Sequence, residues 1–299
     1  MIAFRRFEKS FGAQRAVDGI TLEVHAGETL ALLGPNGSGK TTTLKAAAGL
    51  IRPTSGEVLL GVPGRPAHLA EARQVVSFLP QRVAFPDTLT AREVIEFYRA
   101  LRGTAASRVD DALRFASLNG ASNRAVGTYS GGMTQRLGLA VAVLPDSRVL
   151  LLDEPTAALD PAGLAAFYAM AERSARDGRT LLFTSHQLGD AERLADRFAI
   201  LVNGRLAAVL SQRELRDRLA ARGVMRVRLA TRRDLALAQV RHVAPSASCS
   251  DEELMVPGPP GLRPAVLEAI REAGAEIVGL TAEEGRLDAL YRDLVEAAP

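Results

Sequence analysis

At 299 residues, 47% hydrophobic and 24% charged, the chain can bury one large core or two smaller ones. Its net charge of +3 is spread over 37 basic and 34 acidic residues, with no Trp and 5% aromatics, which argues against a base-stacking surface for nucleic acid. The single cysteine excludes an intrachain disulfide, and no apolar run approaches the roughly 18 residues of a membrane span. The start, MIAFRRFEKSFG, lacks the apolar stretch of a secretory signal. A cytosolic setting is expected, with any membrane role exerted through a partner.

In chain order, apolar runs alternate with helical patterns, as in an α/β protein with a largely parallel sheet. Thr29–Leu33 and Val149–Leu152 are continuous apolar runs, expected of strands buried on both faces, and 181–184 and 198–202 are further strands. Residues 92–101 and 109–118 carry apolar residues at helical spacing and mark a helical subdomain inserted at about 85–145. Beyond about residue 220 the texture changes. Residues 225–229 alternate apolar and basic, a half-buried strand, followed by a helix at 234–243 and a Pro/Gly-rich turn at 256–262. A helix at Arg263–Glu272, a strand at 276–280 and a closing helix from about Leu287 complete a small α+β domain. The expected division is 1–220 and 221–299.

Gly34-Pro35-Asn36-Gly37-Ser38-Gly39-Lys40-Thr41 fits G-x-x-x-x-G-K-[ST] between a strand and a helix, the context that the phosphate loop requires. Glycines allow several N–H groups to converge on one anion, and the helix start adds partial positive charge. Lys40 can reach the β- and γ-phosphates, Thr41 can ligate Mg²⁺, and Thr42 can meet the α-phosphate. A second site lies where the apolar strand 149–152 runs into Asp153-Glu154-Pro155. Carboxylates at the C-terminal edge of a buried strand stand where α/β sheets bind ligands. Asp153 suits Mg²⁺, held through water, and Glu154 suits polarising the water that attacks the γ-phosphate.

These motifs, with others in order, resemble the ATP-binding-cassette ATPases over roughly residues 2–215. Leu79-Pro80-Gln81 looks like the family's Q-loop, Tyr129-Ser130-Gly131-Gly132-Met133 (YSGGM) its signature, Ala158-Leu159-Asp160 its D-loop, and Ser185-His186 its switch histidine. The resemblance implies a P-loop NTPase cassette: a RecA-like parallel core, an antiparallel β subdomain and an inserted helical subdomain, with the small C-terminal α+β domain appended. It implies an ATPase using ATP and Mg²⁺, with Thr41, Gln81 and Asp153 around the metal, and Glu154, His186 and Gln81 serving catalysis. Phe11 falls where the family stacks an aromatic on adenine. Taken alone, a histidine after a strand is usually structural, and an isolated glutamine is as readily a plain surface residue as a functional one.

In this family two cassettes pack head to tail, so Ser130, Gly131 and Gly132 would face a nucleotide held mainly by the other copy, and Asp160 would act across the interface. Tyr129 and Met133 would pack locally. The implied partners are a second copy and separate transmembrane permease subunits, at the cytoplasmic face of the cell (inner) membrane. Residues 82–103 would receive the permease. YSGGM and the tail resemble the exporter-like branch of multidrug and copper-related ATPases, and similarity extends to the copper-maturation ATPases for nitrous oxide reductase, which would add a periplasmic accessory protein. Met225, His242, Cys249 and Met255 match no ligand spacing, so they are expected to be scattered core or surface residues. The rival reading is a soluble cassette ATPase acting on ribosomes or DNA, disfavoured by one cassette and the lack of a C-x-x-C pair or long heptads. A nucleotide-sensing subunit without turnover is disfavoured by Glu154.

Overall fold

The apolar runs become the central strands of the computed structural model, which describes residues 1–61, 63–185, 188–250 and 253–285 together with Leu290 and Asp293. The chain divides into two compact units, Met1–Val209 and Leu210–Pro299. The first begins with β1 (Ile2–Phe11), β2 (Gln14–Val24), β3 (Thr29–Leu33), α1 (Lys40–Ala47), β4 (Ser55–Leu60), β5 (Arg65–Pro66), α2 (Ala70–Arg73) and β6 (Val76–Leu79). It continues through α3 (Ala91–Arg102), α4 (Arg108–Phe115), α5 (Gly131–Val143), β7 (Val149–Leu152), α6 (Pro161–Arg176) and β8 (Thr180–Ser185). The helix α7 (Leu188–Leu194) and strands β9 (Arg197–Val202) and β10 (Arg205–Ser211) follow.

Two sheets form the core: an antiparallel one ordered β2-β1-β4-β5 and a six-stranded one ordered β10-β9-β3-β8-β7-β6. In the latter, β3, β6, β7, β8 and β9 run parallel, and β3, β7 and β8 are buried along their whole length. That double burial explains why these strands read as unbroken apolar runs. The pairings Leu33 with Ser185, Phe183 with Leu152 and Leu152 with Leu79 bring four strand ends to one edge. Asn203-Gly204, both at positive φ (48° and 79°), turns β9 into β10.

The inserted helices have their own core, in which Val94 and Ile95 of α3, Leu113 of α4 and Leu137 of α5 meet. A capping box starts α3: Thr90 accepts from the Glu93 N–H, and the Glu93 carboxylate accepts from Thr90 N–H. The helix expected over 109–118 stops at Phe115. Ser117 takes φ 55°, and the Leu118 N–H reaches back to the Leu113 carbonyl, closing the helix while Leu118 stays buried. Apolar spacing alone continued through that turn because Leu118 still faces the core. Tyr129 and Met133 pack against this cluster, the tyrosine hydroxyl donating to the Ala121 carbonyl at 2.8 Å.

In the second unit, α8 (Gln212–Ala220) precedes β11 (Val224–Leu229), α9 (Arg233–Val243), β12 (Ser248–Cys249), β13 (Glu253–Pro257), α10 (Arg263–Glu272) and β14 (Ile277–Glu283). The β-α-β-β-α-β order with antiparallel sheet β12-β13-β11-β14 is a ferredoxin-like arrangement. Met225, Val227 and Leu229 alternate into a core against Val240 and Ile270, as the 225–229 pattern predicts. The last strand is longer than the expected 276–280, and Val256 and Pro257 of the expected turn belong to β13. On the edge strand β14, Ile277, Val278 and Leu280 are exposed. The closing helix expected from Leu287 falls largely outside the described residues. Among the described residues, no helix is long and apolar enough to cross a membrane.

Candidate functional site

The strand edge built from β3, β6 and β7 opens into a cleft of about 470 Å³ lined by Phe11, Gln14, Arg15, Ala16, residues 36–42, Gln81 and Glu154. Asn36, Gly37, Ser38, Gly39, Lys40, Thr41 and Thr42 therefore form one wall. The backbone requires the glycines that lie there. At Gly34 (φ 155°) a Cβ would stand 2.4 Å from the Leu201 carbonyl oxygen, and at Gly39 (φ 99°) 2.6 Å from that of Ala16. Any side chain at either place would push against backbone rather than a movable side chain.

Lys40 is buried, and its ammonium donates to the carbonyls of Gly34 (2.7 Å) and Pro35 (3.0 Å). Burial pushes its pKa down, partly opposed by the Glu154 and Asp153 carboxylates. An incoming anion would replace those carbonyls as the partner of the charge, a stronger charge-assisted bond. Behind the loop Asp153 is 1% exposed. Its Oδ1 accepts from Thr184 Oγ1 at 2.7 Å and Thr41 Oγ1 at 3.2 Å, while its Oδ2 is buried with no hydrogen-bond partner. Burial raises the Asp153 pKa, offset in part by these two hydroxyls, and the nearby Glu154 charge raises it further.

A buried carboxylate oxygen without a donor, beside a hydroxyl from the phosphate loop, is a donor set that fits a hard divalent cation such as Mg²⁺. The raised pKa has a consequence for stability. The native state binds more protons than the unfolded chain between the ordinary aspartate value and the raised one, so this group's contribution falls as pH rises through that window. Asp153→Asn should therefore raise the melting temperature of the metal-free protein at neutral pH. A thermal scan in chelating buffer checks it; a lowered melting temperature would contradict the destabilisation assigned to burying the ionised carboxylate.

Glu154 has φ 47°, a left-handed conformation that is rare outside glycine. Its N–H donates to Thr184 Oγ1 at 2.8 Å, and its Oε2 accepts from Gln81 Nε2 at 3.2 Å. Thr184 thus joins both acids through one hydroxyl. Sequence reasoning passed over it; a threonine at the end of an otherwise apolar strand was the available signal. It also passed over Gln14 and Arg15 at the cleft, the latter paired with Asp18 at 2.7 Å. Phe11 is 51% exposed at the mouth, with the Lys9 ammonium 5.0 Å from its ring centre. His186 lies outside the described residues.

Ser130, Gly131, Gly132 and Asp160 do not line this cleft. Ser130 is the N-cap of α5, accepting from the Met133 N–H at 3.3 Å, and Gly131 is exposed with open space where a Cβ would stand. Asp160 caps α6 through the Gly163 N–H at 2.9 Å and lies 3.9 Å from Arg136 of α5. Buried Gln135 donates to the Pro155 carbonyl at 3.3 Å. Two larger clefts, of about 650 and 830 Å³, contain Arg108, Asp146 and Arg179, already joined by ion pairs. Among the described residues, no group of three or more His, Cys, Asp or Glu could hold a metal; Met225 is core, and Cys249 is half-buried with a free thiol.

A glycine cradle at a helix start, a buried lysine and two acids on the next strand but one define a P-loop nucleotide-hydrolysing fold. The ABC transporter family profile matches residues 17–157. The chain is 40% identical over 211 residues to Nod factor export ATP-binding protein I of Burkholderia lata, covering 69% of each chain. It is 29% identical over 248 residues to the linearmycin resistance ATP-binding protein LnrL of Bacillus subtilis, covering 82% of this chain and 80% of that one. It also resembles the ATP-binding cassette MJ0796, solved as a post-hydrolysis dimer bound to ADP and Pi, with 26% identity, TM-score 0.65 and coverage of 71% and 99%. The chain belongs to the ATP-binding-cassette (ABC) transporter family. It is an ATP-binding, ATP-hydrolysing subunit of that family.

Proposed function

We propose that this ATPase works as a head-to-tail homodimer that drives separate membrane-spanning export subunits from the cytoplasmic face of the membrane. The observation that carries the reading is the division of the motifs within one chain. The phosphate loop, Gln81 and Glu154 line the cleft, whereas Ser130 and Gly131 are exposed at the start of α5, outside it. A second copy would bring that helix start, with its free N–H groups and partial positive charge, onto the γ-phosphate. Asp160 would then stand at the interface.

Within each half-site, Lys40 and the loop N–H groups bind and neutralise the phosphates, and Phe11 offers its ring face to the base. Asp153 and Thr41, with Gln81 near them, would hold Mg²⁺, which supplies charge neutralisation on the phosphates when bound. Glu154 accepts a proton from the attacking water, and His186 is assigned the hydrogen bond that positions it against the γ-phosphate. Closing the dimer around ATP and opening it after hydrolysis would be the stroke delivered to the permease.

Export is supported by the similarity to ATP-binding proteins of Nod factor export and linearmycin resistance. Docking through 82–103 is supported by Phe97 and Leu101 of α3, which are 59% and 66% exposed. The narrower copper-maturation reading, with its periplasmic partner, rests on the sequence resemblance alone. In gently solubilised cells the chain should sediment with the membrane fraction and co-purify with an integral membrane protein. Recovery with ribosomes or DNA, and with no membrane protein, would favour the rival soluble ATPase instead.

A further inference from the structure

Two buried anchors, one on β8 and one on α7, grip the same four-residue segment, 153–156. On the near side is Thr184, bonded to Asp153 Oδ1 and the Glu154 N–H. On the far side is Asp190 of α7, 5% exposed, whose Oδ2 accepts from Thr156 Oγ1 at 2.6 Å and whose Oδ1 accepts from the Tyr168 hydroxyl of α6. Thr156 belongs to the turn that starts at Glu154: the Ala157 N–H returns to the Glu154 carbonyl at 3.3 Å and that of Leu159 to Thr156 at 3.2 Å. A second layer backs the far anchor. Arg193 of α7 lies 4.0 Å from the Tyr168 ring centre and pairs with Glu172 of α6 at 3.1 Å.

We infer that Asp190 is a positioning residue for hydrolysis, fixing through Thr156 the turn that starts at Glu154 against α6 and α7. The inference rests on the role proposed for Glu154 above. A buried carboxylate must find donors, and here both come from hydroxyls on elements that bear other parts of the machinery: the turn after Glu154, and the helix capped by Asp160. Burial pushes the Tyr168 phenol up to about 12, so it remains a proton donor at working pH. The Thr184 anchor holds only the Asp153–Glu154 end of the segment. Without the Asp190 anchor, α7 could shift against the 153–156 turn, and a misplacement of about 1 Å in a catalytic group costs up to about 10²-fold in rate.

The test uses the full chain with Mg²⁺ and ATP. Thr156→Val keeps the shape and removes the hydroxyl; it should lower kcat about tenfold or more while leaving the KM for ATP within about twofold. Thr156→Ser should restore wild-type kcat, and Thr156→Val combined with Asp190→Ala should be no slower than Asp190→Ala alone, because both break one link. Should Asp190→Ala fail to fold, the Val and Ser pair decides. Wild-type kcat in Thr156→Val, equal losses in the Val and Ser variants, or a KM rise matching the kcat fall would overturn the inference. Glu154→Gln, assayed beside them, separates the two ideas: turnover in that variant sinks the assigned hydrolytic roles, whereas an inactive Glu154→Gln with a normal Thr156→Val sinks only the positioning role.

Discussion

Glu154→Gln should leave ATP binding intact, lower turnover by about 10²–10⁴-fold, and trap an ATP-bound dimer. The substitution preserves size, and a glutamine oxygen can still accept from Gln81 Nε2, which now holds the Glu154 carboxylate at 3.2 Å. What it removes is a base that can take the proton of the attacking water. The left-handed backbone at Glu154 (φ 47°) and the Thr184 bond to its N–H are unaffected, so folding should be unaffected too. Steady-state ATPase assays and size-exclusion chromatography with ATP measure both arms. Wild-type turnover would remove Glu154 from the chemistry.

The second large effect is a contrast between two variants. Lys40→Ala should weaken ATP binding by about 10- to 150-fold, the worth of a hydrogen bond to a charged group. The buried ammonium now satisfies the Gly34 and Pro35 carbonyls, and Arg15, the other cation among the described residues lining the cleft, is paired with Asp18. Ser130→Asp should behave differently. Aspartate is as good an N-cap as serine, so it can still accept from the Met133 N–H and keep α5 in place. Its charge would repel a phosphate brought to that helix start. The lone chain should bind ATP as well as wild type, yet form no ATP-dependent dimer and turn over no ATP. Equilibrium binding of a fluorescent nucleotide, with dimerisation followed separately, distinguishes the two defects.

Much of the first unit was legible because its signals are local. Thr29–Leu33 and Val149–Leu152 are apolar throughout since both faces are covered, and the loop between β3 and α1 carries its glycines where the backbone must approach Leu201 and Ala16. The end of α4 was less legible, since Leu118 stays in the helix's apolar register while Ser117 turns the chain. In the second unit the alternation of β11 could be read, whereas the strand order β12-β13-β11-β14 could not. Pairing between strands depends on contacts far apart in sequence.

The same limit applies to the site. Phosphate-loop residues lie within one short segment and announce themselves. The links from Thr184 to Asp153 and from Asp190 to Thr156 span 31 and 34 residues, and a threonine in a strand or an aspartate in a short helix has no signature of its own. The exposed Ser130-Gly131 start of α5 carried meaning in the sequence only through family resemblance. In the structure its separation from the cleft becomes a physical observation.

If each working site is assembled from two copies of the chain, mixing these two variants tests it most directly. Ser130→Asp, and Lys40→Ala at ATP too dilute to fill its weakened site, should each be inactive alone. In a mixed dimer one site carries both defects, while the other pairs an intact phosphate loop from one chain with an intact α5 start from its partner. Mixing at equal amounts should therefore restore ATPase activity through mixed dimers closed on the one intact site. Activity well above that of either variant alone is the predicted result. A mixture as inactive as either variant alone, with pairing between the two variants verified, would contradict a site shared across two chains.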